Sequence, residues 1–172
     1  WIRNWQEIII YPAPFKNGRE NLVNYNGVSV SWEGVESGET SYQGEIIIDW
    51  QDDQPHALHR NASQVLMHEL AHKLDMLDGN INGHPPLHAN MNEADWFKAF
   101  ETAYEDLTSK IEHGKETTIN PYAATSPAEF FAVTTEYFFE SPQTLENNYP
   151  KVYQQLVAFY RQNPLEQETR RA

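Results

Sequence analysis

The sequence predicts an α+β domain, on three observations. Residues 1–50 carry short apolar or alternating runs separated by Pro, Asn and Gly, the pattern of strands joined by turns. After residue 60 the apolar period lengthens to that of helices. Strands are thus followed by helices instead of alternating with them, which is the α+β order. A chain of 172 residues is long enough for one domain with a sizeable core.

Each element has its own signal. Ile8-Ile9-Ile10-Tyr11 is a short apolar run that stops at Pro12 and Pro14. Val28 to Trp32 alternates, with Val28, Val30 and Trp32 on one side. Glu45 to Trp50 is a third, isoleucine-rich run after the turn-prone Gly38 to Gly44. Asn61 is placed to cap a helix, with Gln64 as its capping-box partner. That helix runs to about Leu77 and ends at Asp78-Gly79, where glycine accepts a left-handed turn. Gly79 to Asn90 reads as a loop containing Pro85-Pro86. A second helix spans roughly Asn92 to Ile111, with Trp96, Phe100, Ala103, Leu107 and Ile111 on one stripe. A third begins at Ser126-Pro127 and ends near Glu140, with proline suited to the first helical position. A fourth runs from about Pro150 to Arg161. Phe130-Phe131 and Tyr137-Phe138-Phe139 read as core.

Composition narrows the functional classes. The formal net charge is −13. Such a surface repels phosphate backbones, which argues against direct nucleic-acid binding and suits a basic protein or peptide; it also simply aids solubility. No apolar run approaches the ~18 residues of a membrane span, so no membrane partner is expected. Cysteine is absent, which excludes disulfides and thiolate ligands and is compatible with the cytoplasm. The chain opens on Trp1 without a signal-peptide pattern, so a domain taken from a longer protein is expected.

His68-Glu69-Leu70-Ala71-His72 carries the chemistry. On a helix, residues four apart lie on one face about 6 Å apart. Two imidazoles there reach one cation, and Glu69, one step round, reaches a water beside it without binding the metal. A catalytic zinc usually takes three protein ligands and leaves one position open, so a third ligand is needed. Asp78 gives one possible spacing. Lys73, Leu74, Met76 and Leu77 are good helix formers, however, and a continuing helix carries Asp78 about 9 Å beyond His72 along the axis. Glu129, at the start of the third helix among small and apolar neighbours, is the stronger candidate, because a carboxylate at a buried helix edge needs a partner. Ser126 to Glu129 also fits a capping box, and spacing alone leaves these two readings equal. Glu136 and Glu140 are rivals on the same helix, read as structural. Asp75, three residues after His72, is placed to accept a ring N–H from a ligand histidine. His84 and His88 flank two prolines, so no helix aligns them as ligands; they read as cleft-lining loop residues. His56 and His59 read as surface histidines.

Four stretches carry a family resemblance: His68 to Gly79, Asn82-Gly-His-Pro-Pro-Leu87, Tyr122-Ala-Ala-Thr-Ser-Pro-Ala-Glu-Phe-Phe-Ala-Val133 and Phe159-Tyr-Arg-Gln-Asn-Pro164. Together they resemble the Mlc titration factor A family of zinc peptidases, itself related to the catalytic domain of anthrax lethal factor. The resemblance extends from about Trp5 to Leu165. It implies a single gluzincin-like metallopeptidase domain over residues 1–172, a small mixed sheet packed on the H-E-x-x-H helix and further helices. It also implies that a helical N-terminal region of full-length members is missing.

For the site, the resemblance implies one zinc per chain held by His68, His72 and Glu129. It implies Glu69 as general base and Tyr122 as the hydroxyl that stabilises the oxyanion. Gly44 to Trp50 is implied as the edge strand beside which an extended substrate lies. The implied activity is cytoplasmic, zinc-dependent and aminopeptidase-like hydrolysis of small peptides. The family takes its name from sequestering a transcriptional repressor of glucose-uptake genes, so a repressor partner is implied too. The alternative is a non-catalytic protein-binding module that sequesters that repressor.

Overall fold

A computed structural model of the chain describes residues 7–11, 15–16, 23–25, 28–30, 35–36, 38–40, 45–49 and 62–171. The expectations for Trp32, His56, His59 and the Asn61 cap lie outside these residues. The chain divides into two compact units, residues 2–69 and residues 70–172 with Trp1. The division falls inside one continuous helix.

Seven short strands are described in the first unit: β1 (Glu7–Tyr11), β2 (Phe15–Lys16), β3 (Val23–Tyr25), β4 (Val28–Val30), β5 (Val35–Glu36), β6 (Gly38–Thr40) and β7 (Glu45–Asp49). They pair as a three-stranded sheet in the order β1-β7-β6 and as two antiparallel pairs, β2 with β5 and β3 with β4. β1 runs parallel to β7, Ile8 opposite Ile46, and β6 runs antiparallel to it. This corrects the expected edge strand at residues 44–50. β7 is the central strand, with a neighbour on each side, so neither of its ladders is open to a substrate.

The helical part begins with α1 (Ala62–Asp75), which tightens into a 3-10 turn over Met76–Asp78. It stops at Gly79, whose φ of 96° is the left-handed conformation that favours glycine. Helix α2 (Glu93–Glu112) is capped by Asn92, whose side chain accepts from the N–H groups of Ala94 and Asp95. A 3-10 turn over Pro121–Ala124 leads into α3 (Pro127–Glu140), and α4 (Pro142–Asn148), α5 (Pro150–Tyr160) and α6 (Pro164–Arg171) follow.

The fold expectation is corrected here. A gluzincin-like α+β domain with a small mixed sheet packed on the H-E-x-x-H helix is not what the structure supports. Residues 62–171 are helical with no strand among them, and their core is helix against helix. The reason lies in α3. Every residue from Ala128 to Glu136 is buried except the half-buried Glu129. A helix buried on nearly all sides is a central element that other helices surround. Phe131 of α3 meets Trp96 of α2 and Phe159 of α5 at centroid distances of 5.9 and 6.0 Å, while Trp96 stacks on Phe100 at 4.2 Å. Thr134, buried in this apolar helix, turns its hydroxyl back to the Phe130 carbonyl at 2.7 Å and so leaves no donor unsatisfied.

Candidate metal centre

Helix α1 presents His68 and His72 on one face, four residues apart. Helix α3 presents Glu129 in its first turn. One donor atom from each of the three lies within 4.8 Å of the other two. His72 Nε2 and Glu129 Oε1 stand 3.4 Å apart. Two ligands bound to one tetrahedral ion at about 2.0–2.1 Å stand roughly 3.3 Å apart, so this pair fits a shared cation. Two imidazole nitrogens and a carboxylate oxygen are also a donor set that divalent transition metals accept. The residues present therefore fit a metal ion.

Local sequence explains how Glu129 reaches this position. Ser126 adopts extended backbone and its hydroxyl accepts the N–H of Glu129 at 3.2 Å, while Pro127 occupies the first turn. The serine therefore caps the helix through the Glu129 backbone, and the Glu129 carboxylate faces His72. This capping bond is the serine half of the expected capping box and does not use the Glu129 carboxylate, so it does not decide between the capping and ligand readings of that group.

Glu69 is buried at 7% exposure, beside His68 at 4%. Tyr122 lies in the 3-10 turn that leads into α3 and is 45% exposed. That turn is fixed by Asn120, whose side-chain oxygen accepts the Tyr122 N–H at 2.9 Å, and by the Thr125 hydroxyl, which donates to the Tyr122 carbonyl at 2.6 Å. Asp78 is exposed at the end of the 3-10 turn, its Oδ1 accepting the Asn80 N–H. Among the described residues it does not join the His-His-Glu group, and neither do Glu136 and Glu140. His84 and His88 are also outside it. His88 Nε2 is 2.9 Å from the Phe159 carbonyl and His84 stacks on Phe97.

Asp75 does something the sequence reading did not foresee. It is fully buried, and its Oδ2 accepts the N–H groups of Asn82 at 2.9 Å and Gly83 at 2.7 Å. Its Oδ1 has no hydrogen-bond partner among the described residues, so the expected bond from a ligand histidine is not formed. Burial pushes the Asp75 carboxyl above the usual carboxylate range, against the pull of the Gly83 and Asn82 N–H groups and of nearby His72. Gly83 in turn sits against the start of α3. It has a φ of +77°, and a Cβ built on it would lie 2.4 Å from the Pro127 carbonyl oxygen. One loop thus ties the end of α1, the turn that carries His72, to the first turn of α3, which carries Glu129. The sequence marks Gly79 to Asn90 as a loop, but not the contact of Gly83 with Pro127.

The site and the helices that carry it define a class. Residues 1–161 match the family described as glucose-regulated metallo-peptidase M90, and the chain belongs to that family. Among its relatives is Mlc titration factor A of Yersinia pestis (strain Pestoides F), 39% identical over 171 residues, covering 96% of this chain and 61% of the relative. Mlc titration factor A of Yersinia pseudotuberculosis (serotype O:1b) matches with the same identity and coverage. The chain thus spans about 61% of the length of the curated relatives it matches.

Proposed function

We propose that the chain is a zinc-dependent peptidase whose metal is held by His68, His72 and Glu129. The observation that carries this reading is the meeting of the three donors with Glu69 placed between the histidines in sequence, in a member of a metallo-peptidase family. That match runs through both compact units, and we read them as one cytoplasmic metallopeptidase domain. Among the described residues, no helix is long and apolar enough to cross a membrane.

When bound, zinc lowers the pKa of an adjacent water toward ~7 and polarises a carbonyl. Glu69 takes the proton of the attacking water and passes it to the nitrogen of the leaving amine as the peptide C–N bond breaks. The Tyr122 hydroxyl, on a residue that is 45% exposed, donates a hydrogen bond to the carbonyl oxygen as charge develops there. Small peptides, cleaved from the amino end, are the substrate class proposed.

A second role is proposed on a separate observation. The relatives carry the name Mlc titration factor A, and the strong acidity of this chain suits a basic protein partner. Contact with a transcriptional repressor, and through it regulation of sugar uptake, would follow.

Zinc-loaded protein assayed on short peptides and aminoacyl anilides tests the first role. Glu69→Ala is expected to keep its zinc and lose about 10²–10⁴ in rate. Tyr122→Phe should also keep zinc and lose on the order of 10²–10³. Undiminished hydrolysis by zinc-loaded Glu69→Ala would contradict the assignment of the base.

A further inference from the structure

Helix α2 breaks its own pattern at one position. Its outward face is polar, yet Phe97 lies on it at 49% exposure. The ring is covered on one side by His84, stacked at 4.9 Å with 12° between the planes. Beside this pair opens a hollow of about 300 Å³, walled by Phe97, Phe100, Phe130 and Pro127 and lined at its charged edge by Glu101 and Glu105. A second hollow of about 300 Å³ shares the same ring pair, with Asp78 and Glu93 in its lining. Among the described residues, no lysine or arginine lines either hollow.

This place is distinct from the candidate metal centre. At about 100° per residue, Glu129 projects roughly 100° away from Phe130 and roughly 160° away from Pro127 around α3. The wall of the hollow and the metal-ligand candidate therefore occupy different faces of one helix.

We propose that the hollow beside Phe97 is a docking site for a partner protein, which inserts one bulky apolar side chain flanked by lysine or arginine. An apolar wall with an exposed aromatic marks a contact surface. The carboxylates lining both hollows select the flanking charge, and a chain of net charge −13 attracts such a segment from a distance. The surface serves recognition and does not depend on hydrolysis.

The probe is a fluorescein-labelled peptide, Lys-Lys-Phe-Lys-Lys, titrated by fluorescence anisotropy against the 172-residue chain. Glu101 and Glu105 are both exposed, so the Glu101→Lys/Glu105→Lys double variant should fold normally and bind roughly tenfold or more weakly. Phe97→Ala should lose a similar factor. Replacing the central Phe of the peptide by Gly, or its lysines by glutamates, should abolish binding. Equal binding by the charge-reversed variant, or by the glycine peptide, would overturn the proposal. Sedimentation gives a further arm: a dimer that Phe97→Ala dissociates would assign the hollow to a second copy of this chain and overturn the partner.

Discussion

Helices α1 and α2 bury opposite kinds of residue. The buried residues of α2 are Trp96, Ala99, Phe100, Ala103 and Leu107, none of them ionisable. Those described in α1 are Val65, His68, Glu69, Ala71, Lys73 and Asp75, and four of these six ionise. Burying apolar surface stabilises a fold at about 25 cal/mol per Å². Burying a charge opposes folding unless a partner compensates it. Hydrophobic burial therefore accounts for α2, while α1 holds groups that a packing argument alone would have placed in water. Ionisable groups kept inside at such a cost cluster where chemistry occurs.

The difference can be broken from either side. Leu107 is fully buried, so Leu107→Ala should destabilise by about 2–5 kcal/mol in urea unfolding while zinc affinity in the folded protein stays unchanged. A fall in zinc affinity would show that α2 shapes the metal site directly. Gly83→Ala acts on the other side. The added Cβ meets the Pro127 carbonyl and φ is positive, so stability should fall by about 1–3 kcal/mol. Zinc should also bind more weakly, because the loop that Asp75 holds would press on the turn that carries Glu129. An unchanged zinc affinity would confine Gly83 to a packing role.

The smallest effect belongs to the exposed side of α2. Lys110, at 2.6 Å, and the Tyr149 hydroxyl, at 3.0 Å, hold the Asp106 carboxyl below the usual carboxylate range. A depressed carboxylate pKa adds stability above its unfolded value, and that stability is lost as pH falls through the folded value. Asp106→Asn should therefore cost well under ~1 kcal/mol at neutral pH, since the pair is partly exposed and screened. The difference between parent and variant should vanish in acid. A difference that persists there would assign the effect to packing.

Much of the helical part is legible in the sequence. Asn92, Ser126-Pro127 and Pro150 mark the starts of α2, α3 and α5, and Gly79 marks the stop after α1. Helices α4 and α6 go unnoticed because each has fewer than nine residues, too few for an apolar stripe to recur. The layer architecture is not legible either. Alternation shows that a segment is extended but says nothing of its neighbours, so the central place of β7 could not be read, nor could the helix-on-helix core around α3.

The candidate site divides in the same way. His68, Glu69 and His72 are found by spacing within one helix. Glu129 is far away in sequence, and local pattern could not separate its capping role from a ligand role. The tie of Asp75 through Gly83 to Pro127 depends on three segments meeting, which no local signal records.

Anomalous diffraction at the zinc edge, from crystals grown with one equivalent of zinc, tests the metal centre most directly. One strong peak is expected, at about 2.0–2.2 Å from imidazole nitrogens of His68 and His72 and a carboxylate oxygen of Glu129, with no other side chain bound. A peak elsewhere, or one at the histidines with Glu129 turned away and another side chain in its place, would contradict it.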